Sequence, residues 1–181
     1  MKLPWAIFRA TMTSALMTLI ERASENAIAA ASAVGLRFKR DAVTGAIAKM
    51  APAYIAAWLE EIERTTAERI NAAMLAYESG EISADEVAAR VALVFDPARA
   101  ELMGVTETTR LFSVLNEVIY NAAGVERQRF DTVRDPWVCE ECGAYDGMVF
   151  AVDDPDAPEI PVHVHCRCFW APVAADIEIA A

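Results

Sequence analysis

The sequence predicts a mainly α protein of α+β character, with a helical N-terminal body and a small β-hairpin at the C-terminal end. Three observations predict it. Up to about residue 130 the chain is rich in Ala and in apolar residues spaced three and four apart, the period of an amphipathic helix. Five of the eight prolines fall in the last 51 residues, where helix must give way to loops and short strands. All four cysteines and both histidines lie between Cys139 and Cys168, in a spacing that suits one metal ion. At 181 residues the chain can bury a core in one or two domains. The change of character divides it into a helical region, residues 1–95, and a module, residues 96–181, that carries the Cys/His cluster.

The first helix is expected from about Pro4 to Ala33. Pro4 suits the first turn, a bend is expected near Ser24–Asn26, and Gly35 is a natural stop. A short helix over Arg40–Met50 is weakened by Gly45. A stronger one runs from Pro52 to Glu78, where Ile55, Leu59, Ile62, Thr66, Ile70, Ala73 and Tyr77 build an apolar stripe. Glu60 and Arg64, four apart, are expected to pair on its wet face. After Gly80, Ser83 and Glu86 have the spacing of a capping box, and the helix they open carries Val87, Val91 and Val94 on one side. Asp96-Pro97 opens the next, which runs to about Ala122 with Leu102, Leu111, Leu115, Val118 and Ala122 inward. Gly104 is expected to break it and Gly124 to close it. Beyond this, Asp146-Gly147 reads as a tight hairpin turn leading into a strand, Met148–Phe150. An acidic, proline-rich loop spans Asp153 to Pro161, and Val162–Trp170 is expected to return as a second strand beside the first.

The net charge is −11 and uneven: residues 131–181 hold two basic and eleven acidic residues. Such a surface repels phosphate and disfavours nucleic-acid binding by this region. The apolar run after Lys2 is interrupted by Arg9, and the stretch Ala10–Ile20 contains Thr11, Thr13, Ser14 and Thr18. It is too short to span a bilayer, and no small-residue cleavage site follows. Neither secretion nor a membrane is expected. In a reducing compartment, clustered cysteines point to metal.

Cys139-Glu-Glu-Cys142 has the two-residue spacing with which one tight turn aims two thiolates at a single tetrahedral ion. Twenty residues further on, His163-Val-His-Cys166-Arg-Cys168 supplies the partner half. In a straight strand His163 would face away from Cys166 and Cys168, so a shared ion requires a turn within residues 162–168. The expected ligands are Cys139, Cys142, His163 and Cys166, with Cys168 the next choice and His165 at the surface. They hold one structural Zn2+ per chain, so that the hairpin becomes zinc-bound. Four soft ligands leave no open position for water, which argues against a catalytic ion. Disulfides or packed thiols are the alternatives. A thiol oxidoreductase would need its Cys-x-x-Cys to open a helix, whereas Pro136, Gly143 and the Asp-Gly pair read as loop. No His-Glu-x-x-His, phosphate-binding glycine loop or Gly-x-Ser-x-Gly elbow is present, and the chain is not expected to be an enzyme.

In order along the chain come Thr106-Glu107-Thr108-Thr109-Arg110, Asp135-Pro-Trp-Val-Cys139-Glu-Glu-Cys142, Asp146-Gly147-Met-Val-Phe150 and Pro161-Val-His163-Val-His-Cys166-Arg167-Cys168. Over roughly residues 100–172 this order resembles the phage Mu protein F-like family of head morphogenesis proteins. There are departures: Phe130 stands where the family often has Trp, Pro161 stands alone where Pro-Pro is common, and His165 is extra. The resemblance implies a minor head protein that associates with the portal protein and other head proteins during capsid assembly. It implies an oligomeric context, in the virion and in the host cytoplasm during assembly. Some relatives touch DNA, which the charge here does not indicate. The Ala- and Met-rich first helices are the expected partner surface. Arg167 is expected to pair with Glu107 or Asp135 and dock the hairpin on the helices. The alternative reading is a zinc-dependent nucleic-acid-binding module.

Overall fold

A computed structural model describes residues 5–173. Helix α1 (Trp5–Ala33), helix α2 (Arg40–Glu78), helix α3 (Ala84–Val94) and helix α4 (Pro97–Ala123) form the body. α1 packs on α2 and α4, and α2 packs on α3 and α4. The start expected at Pro4 lies outside the described residues. The helix is not broken at Ser24–Asn26. Ser24 is buried, and its hydroxyl donates to the Ile20 carbonyl one turn back, so it is satisfied without leaving the helix.

The two helices expected over 40–78 are one. Pro52 sits inside α2 on an exposed position, while Val43, Ile47, Ala51, Ile55 and Leu59 run past it as an unbroken buried row. An interior proline costs about 3 kcal/mol, and each fully buried Val, Ile or Leu contributes roughly 1.5–3 kcal/mol, so the row decides. Arg64 pairs with Glu61 and Glu68 rather than with Glu60. Tyr77, at the end of the expected stripe, is exposed. Among the described residues α2 is the one helix long and apolar enough to cross a membrane, by length and composition only.

The expected caps form. The Ser83 hydroxyl accepts from the Glu86 backbone N–H, though the Glu86 carboxylate turns to Arg90 instead of completing the box. The Asp96 carboxylate accepts from the Ala98 N–H at 2.7 Å. Gly124 closes α4 in the left-handed region at φ 67. Gly104 does not break α4. Leu111 and Leu115 are buried as expected, together with Ile119 and Tyr120, but Leu102 and Ala122 are exposed. Leu102 is thirteen residues from Leu115, which places it about 140° round the helix.

The sheet departs most from expectation. Strand β1 (Arg127–Asp131) was not legible, yet it is central. The short helix α5 (Glu140–Tyr145) follows it, then β2 (Val149–Ala151) and β3 (Phe169–Val173), in the order β2-β1-β3. Both neighbours run antiparallel to β1, with Arg129 opposite Val149 and Phe130 opposite Trp170. β2 and β3 therefore do not lie beside each other, as the expected return of Val162–Trp170 next to Met148–Phe150 required. Residues 162–168 precede β3 as a turn-rich segment instead of belonging to it. Phe130 is fully buried, 5.4 Å edge-to-face from Trp170 and 5.5 Å from Tyr145. A single buried cluster joins Leu16 and Ile20 of α1, Leu111, Leu115 and Ile119 of α4, and Phe130, Trp170 and three cysteines of the module.

Candidate metal centre

Cys139 is the N-cap of α5. Its sulfur accepts the Cys142 backbone N–H at 3.4 Å, so three residues of helical rise bring both sulfurs to one side. The Cys-x-x-Cys thus opens a short helix and not the loop expected from its flanks. Its approach is fixed by Asp135, whose carboxylate accepts the Trp137 N–H at 2.9 Å.

The turn that a shared ion requires is present. The Cys166 N–H donates to the His163 carbonyl, and His165 between them takes a positive φ of 67. As a result His163 Nε2 lies 3.2 Å from Cys139 Sγ and 3.1 Å from Cys142 Sγ, while Cys142 and Cys166 sulfurs are 3.9 Å apart. All four cysteines are free thiols. Two triads share Cys142: Cys139, Cys142 and His163 on one side, and Cys142, Cys166 and Cys168 on the other. Within each triad the donor atoms lie within 4.8 Å of one another. The five expected ligands are therefore together, and His165 is exposed, as expected.

The donor set suits a thiophilic divalent ion. With zinc bonds of about 2.3 Å to sulfur and about 2.0 Å to nitrogen, tetrahedral ligands lie about 3.8 Å (S to S) and about 3.5 Å (S to N) apart. The sulfur–sulfur spacing of 3.9 Å matches, and the sulfur–nitrogen spacings of 3.1 and 3.2 Å are a few tenths of an ångström shorter. His163 Nδ1 is 2.8 Å from the Val164 carbonyl. A carbonyl only accepts, so the proton is on Nδ1 and the Nε2 lone pair faces the sulfurs. That same hydrogen bond is the main reason the imidazole holds its proton above the usual range. The thiols divide. The Cys142 backbone N–H pulls the Cys139 thiol down. Burial pushes Cys166 up, but the backbone N–H groups of Cys168 and Val162 outweigh it and the thiol ends lowered. Burial raises Cys142, reinforced by neighbouring sulfurs, and pushes Cys168 up to about 11. Clustered thiols of this kind deprotonate together only around a cation.

Arg167 forms a two-pronged ion pair with Asp135, at 2.6 and 3.0 Å. Of the two expected partners it takes Asp135 and not Glu107, so it ties one arm of the cluster to the other instead of docking the module on the helices. Glu107 pairs with Arg110 one turn on, and burial raises its pKa. The docking falls to residues to which sequence reasoning gave no role. The Thr106 hydroxyl accepts the His165 N–H at 2.9 Å, and the Thr109 hydroxyl donates to the Cys166 carbonyl at 2.7 Å. The Tyr120 hydroxyl donates to the Trp170 carbonyl at 2.7 Å. These three lie on one face of α4, and their spacing of three and eleven residues was the available signal.

A helical body that carries, on its last long helix, a three-stranded module closed by a Cys/His cluster defines the class. A model of the phage Mu protein F-like family matches residues 25–171, and the chain belongs to that family. The match begins well before the motifs at 100–172 and takes in α2, α3 and α4 whole. It is a family of phage head proteins. No curated protein and no solved structure matches the chain.

Proposed function

We propose that the chain is a non-enzymatic minor head protein that associates with the portal during capsid assembly, and that its C-terminal module is held by one structural zinc. The observation that carries the metal is the convergence of Cys139, Cys142 and His163 on one point with Cys166 and Cys168 beside it. Family membership carries the assembly role. Bound zinc would supply cross-linking of the two arms, not chemistry, because protein donors fill its sphere. The chain's own residues set the geometry: α5 positions two sulfurs, the 163–166 turn presents the imidazole and a third, and Arg167 with Asp135 clamps the arms.

The test is metal analysis of protein purified without chelators, with sedimentation of the chain with portal rings from the same phage. One zinc per chain is expected, lost in a Cys139→Ser/Cys142→Ser variant together with order in the module. Co-sedimentation with the ring is expected. Metal-free protein with an intact module would overturn the zinc reading, and failure to co-sediment would overturn the portal reading.

A further inference from the structure

A groove of about 480 Å³ opens far from the cluster, between the start of α1, the middle of α2 and the junction of α3 with α4. Phe8, Trp58, Phe95 and Met103 give it apolar walls. Phe95 is 60% exposed, more than a satisfied aromatic at a helix junction requires. Two features point to an occupant. Gly104 lines the groove from the interior of α4, and a Cβ built there would meet nothing within 4 Å. Glycine costs a helix interior about 1 kcal/mol relative to Ala, and the chain's own packing gives no reason for it here. A bare backbone in an open groove lets another chain approach closely. The second feature is Arg99. Its guanidinium lines the groove and donates to the Val94 carbonyl at 2.7 Å and to the Thr66 hydroxyl at 3.4 Å. Among the described residues it forms no ion pair, and the Asp96 carboxylate nearby is engaged in capping α4. Partial burial and the positive charge of Arg69 both bear on it. An apolar groove with an unneutralised cation selects an apolar segment that carries carboxylates.

The chain contains one. After Val173 it reads Ala-Ala-Asp176-Ile177-Glu178-Ile179-Ala-Ala, apolar residues alternating with acids. It cannot reach the groove of its own molecule. His165, Cys166 and Trp170 meet Thr106, Thr109 and Tyr120 in that order, so the chain travels along α4 away from the groove. From Tyr120 back to Arg99, α4 rises about 32 Å. Glu178 is five residues beyond Val173, about 18 Å of chain at full extension.

We propose that this groove takes residues 174–181 of a second copy of the chain, so that copies associate head to tail. The contact is heterologous: it uses opposite ends of α4 and builds rings or open chains, not a closed two-fold pair. Ile177 and Ile179 fill the apolar groove, and Asp176 or Glu178 meets Arg99.

Sedimentation of the full chain over a concentration series tests this. Self-association is expected, weakened about tenfold or more by Arg99→Glu and, separately, by Ile177→Asp/Ile179→Asp. Gly104→Leu, which adds a side chain into open space and improves helix propensity, must weaken it likewise. This second variant keeps the test decisive if Arg99→Glu fails to fold. Mixing the Arg99→Glu chain, which keeps its tail, with the Ile177→Asp/Ile179→Asp chain, which keeps its groove, must restore dimers and nothing larger. Metal content should be the same in all variants, which separates this result from the zinc reading. A monomeric wild-type chain, association unchanged in the groove and tail variants, or a mixture that forms no dimers would each overturn the proposal.

Discussion

Cys142 belongs to both donor triads, lies fully buried, and has its thiol raised by burial among other sulfurs. Its loss leaves neither triad complete, whereas loss of Cys168 leaves Cys139, Cys142 and His163 intact with Cys166 beside them. Cys142→Ser is therefore expected to abolish metal binding and Cys168→Ser only to weaken it, read by competition with a chromophoric chelator. Equal affinities in the two variants would contradict the shared-thiol geometry. Glu107 offers a pH test away from the metal. Burial raises its pKa in the folded chain and outweighs the pull of Arg110, and its Oε2 is buried without a hydrogen-bond partner. A carboxyl raised above its unfolded value contributes stability that is fully present below the unfolded pKa and is lost as pH rises through the folded one. The difference in unfolding free energy between wild type and Glu107→Gln should shift in favour of the variant as pH rises from below to above the carboxylate range. Denaturant titrations at both ends measure it, and a pH-independent difference would refute it.

At the level of elements, α4 is a rail for the module. Thr106, Thr109 and Tyr120 bind the backbone of residues 165–170, which has no strand partner until β3 begins. Thr109→Val keeps the shape but leaves the Cys166 carbonyl without its donor. It should cost about 1–3 kcal/mol and speed hydrogen exchange over residues 163–168, with exchange in α1 and α2 unchanged. Uniform acceleration across the chain would show that α4 and the module do not divide in this way. The same elements show what could be read in advance. The caps at Ser83 and Asp96 and the stop at Gly124 were legible because each depends on one side chain or one φ. So was the gathering of the cysteines and His163 into one cluster, since spacing and donor chemistry are local. β1 was hidden because Arg-Gln-Arg-Phe-Asp has no apolar alternation. Its buried positions include Gln128 and Asp131, the latter held by a two-pronged pair with Arg129. Only the strands arriving from later in the chain make it a strand. The fusion of two helices at Pro52 was hidden for a related reason: a proline's local cost is visible in sequence, and the buried row that overrides it is not.

For the molecule as a whole, the buried cluster is shared between helices and module, and Cys142, Cys166 and Cys168 are part of it. The three-stranded sheet is small and rests on α4 for its core, and a bound ion would staple the turn-rich segments around it. Chelation should therefore loosen residues 127–173 first and leave most of the helical signal, a loss readable as near-ultraviolet change around Trp170 and Phe130 before far-ultraviolet change. Simultaneous loss of both signals would mean that the ion holds the helical body as well.

The strand order also governs timing. β1 leaves the ribosome directly after α4, but its partners on both sides are encoded later, β3 some forty residues on. Until they emerge, the Leu111, Leu115 and Ile119 face of α4 has only the helices to cover it. Pairings of that sequence separation form late. The newly made chain thus passes through a stage in which the helical body exists and the Cys/His end does not. Because His163, Cys166 and Cys168 lie between β2 and β3, an ion taken up by the cluster would bind only after those residues emerge, so the order of the strands also sets the order in which the donors become available.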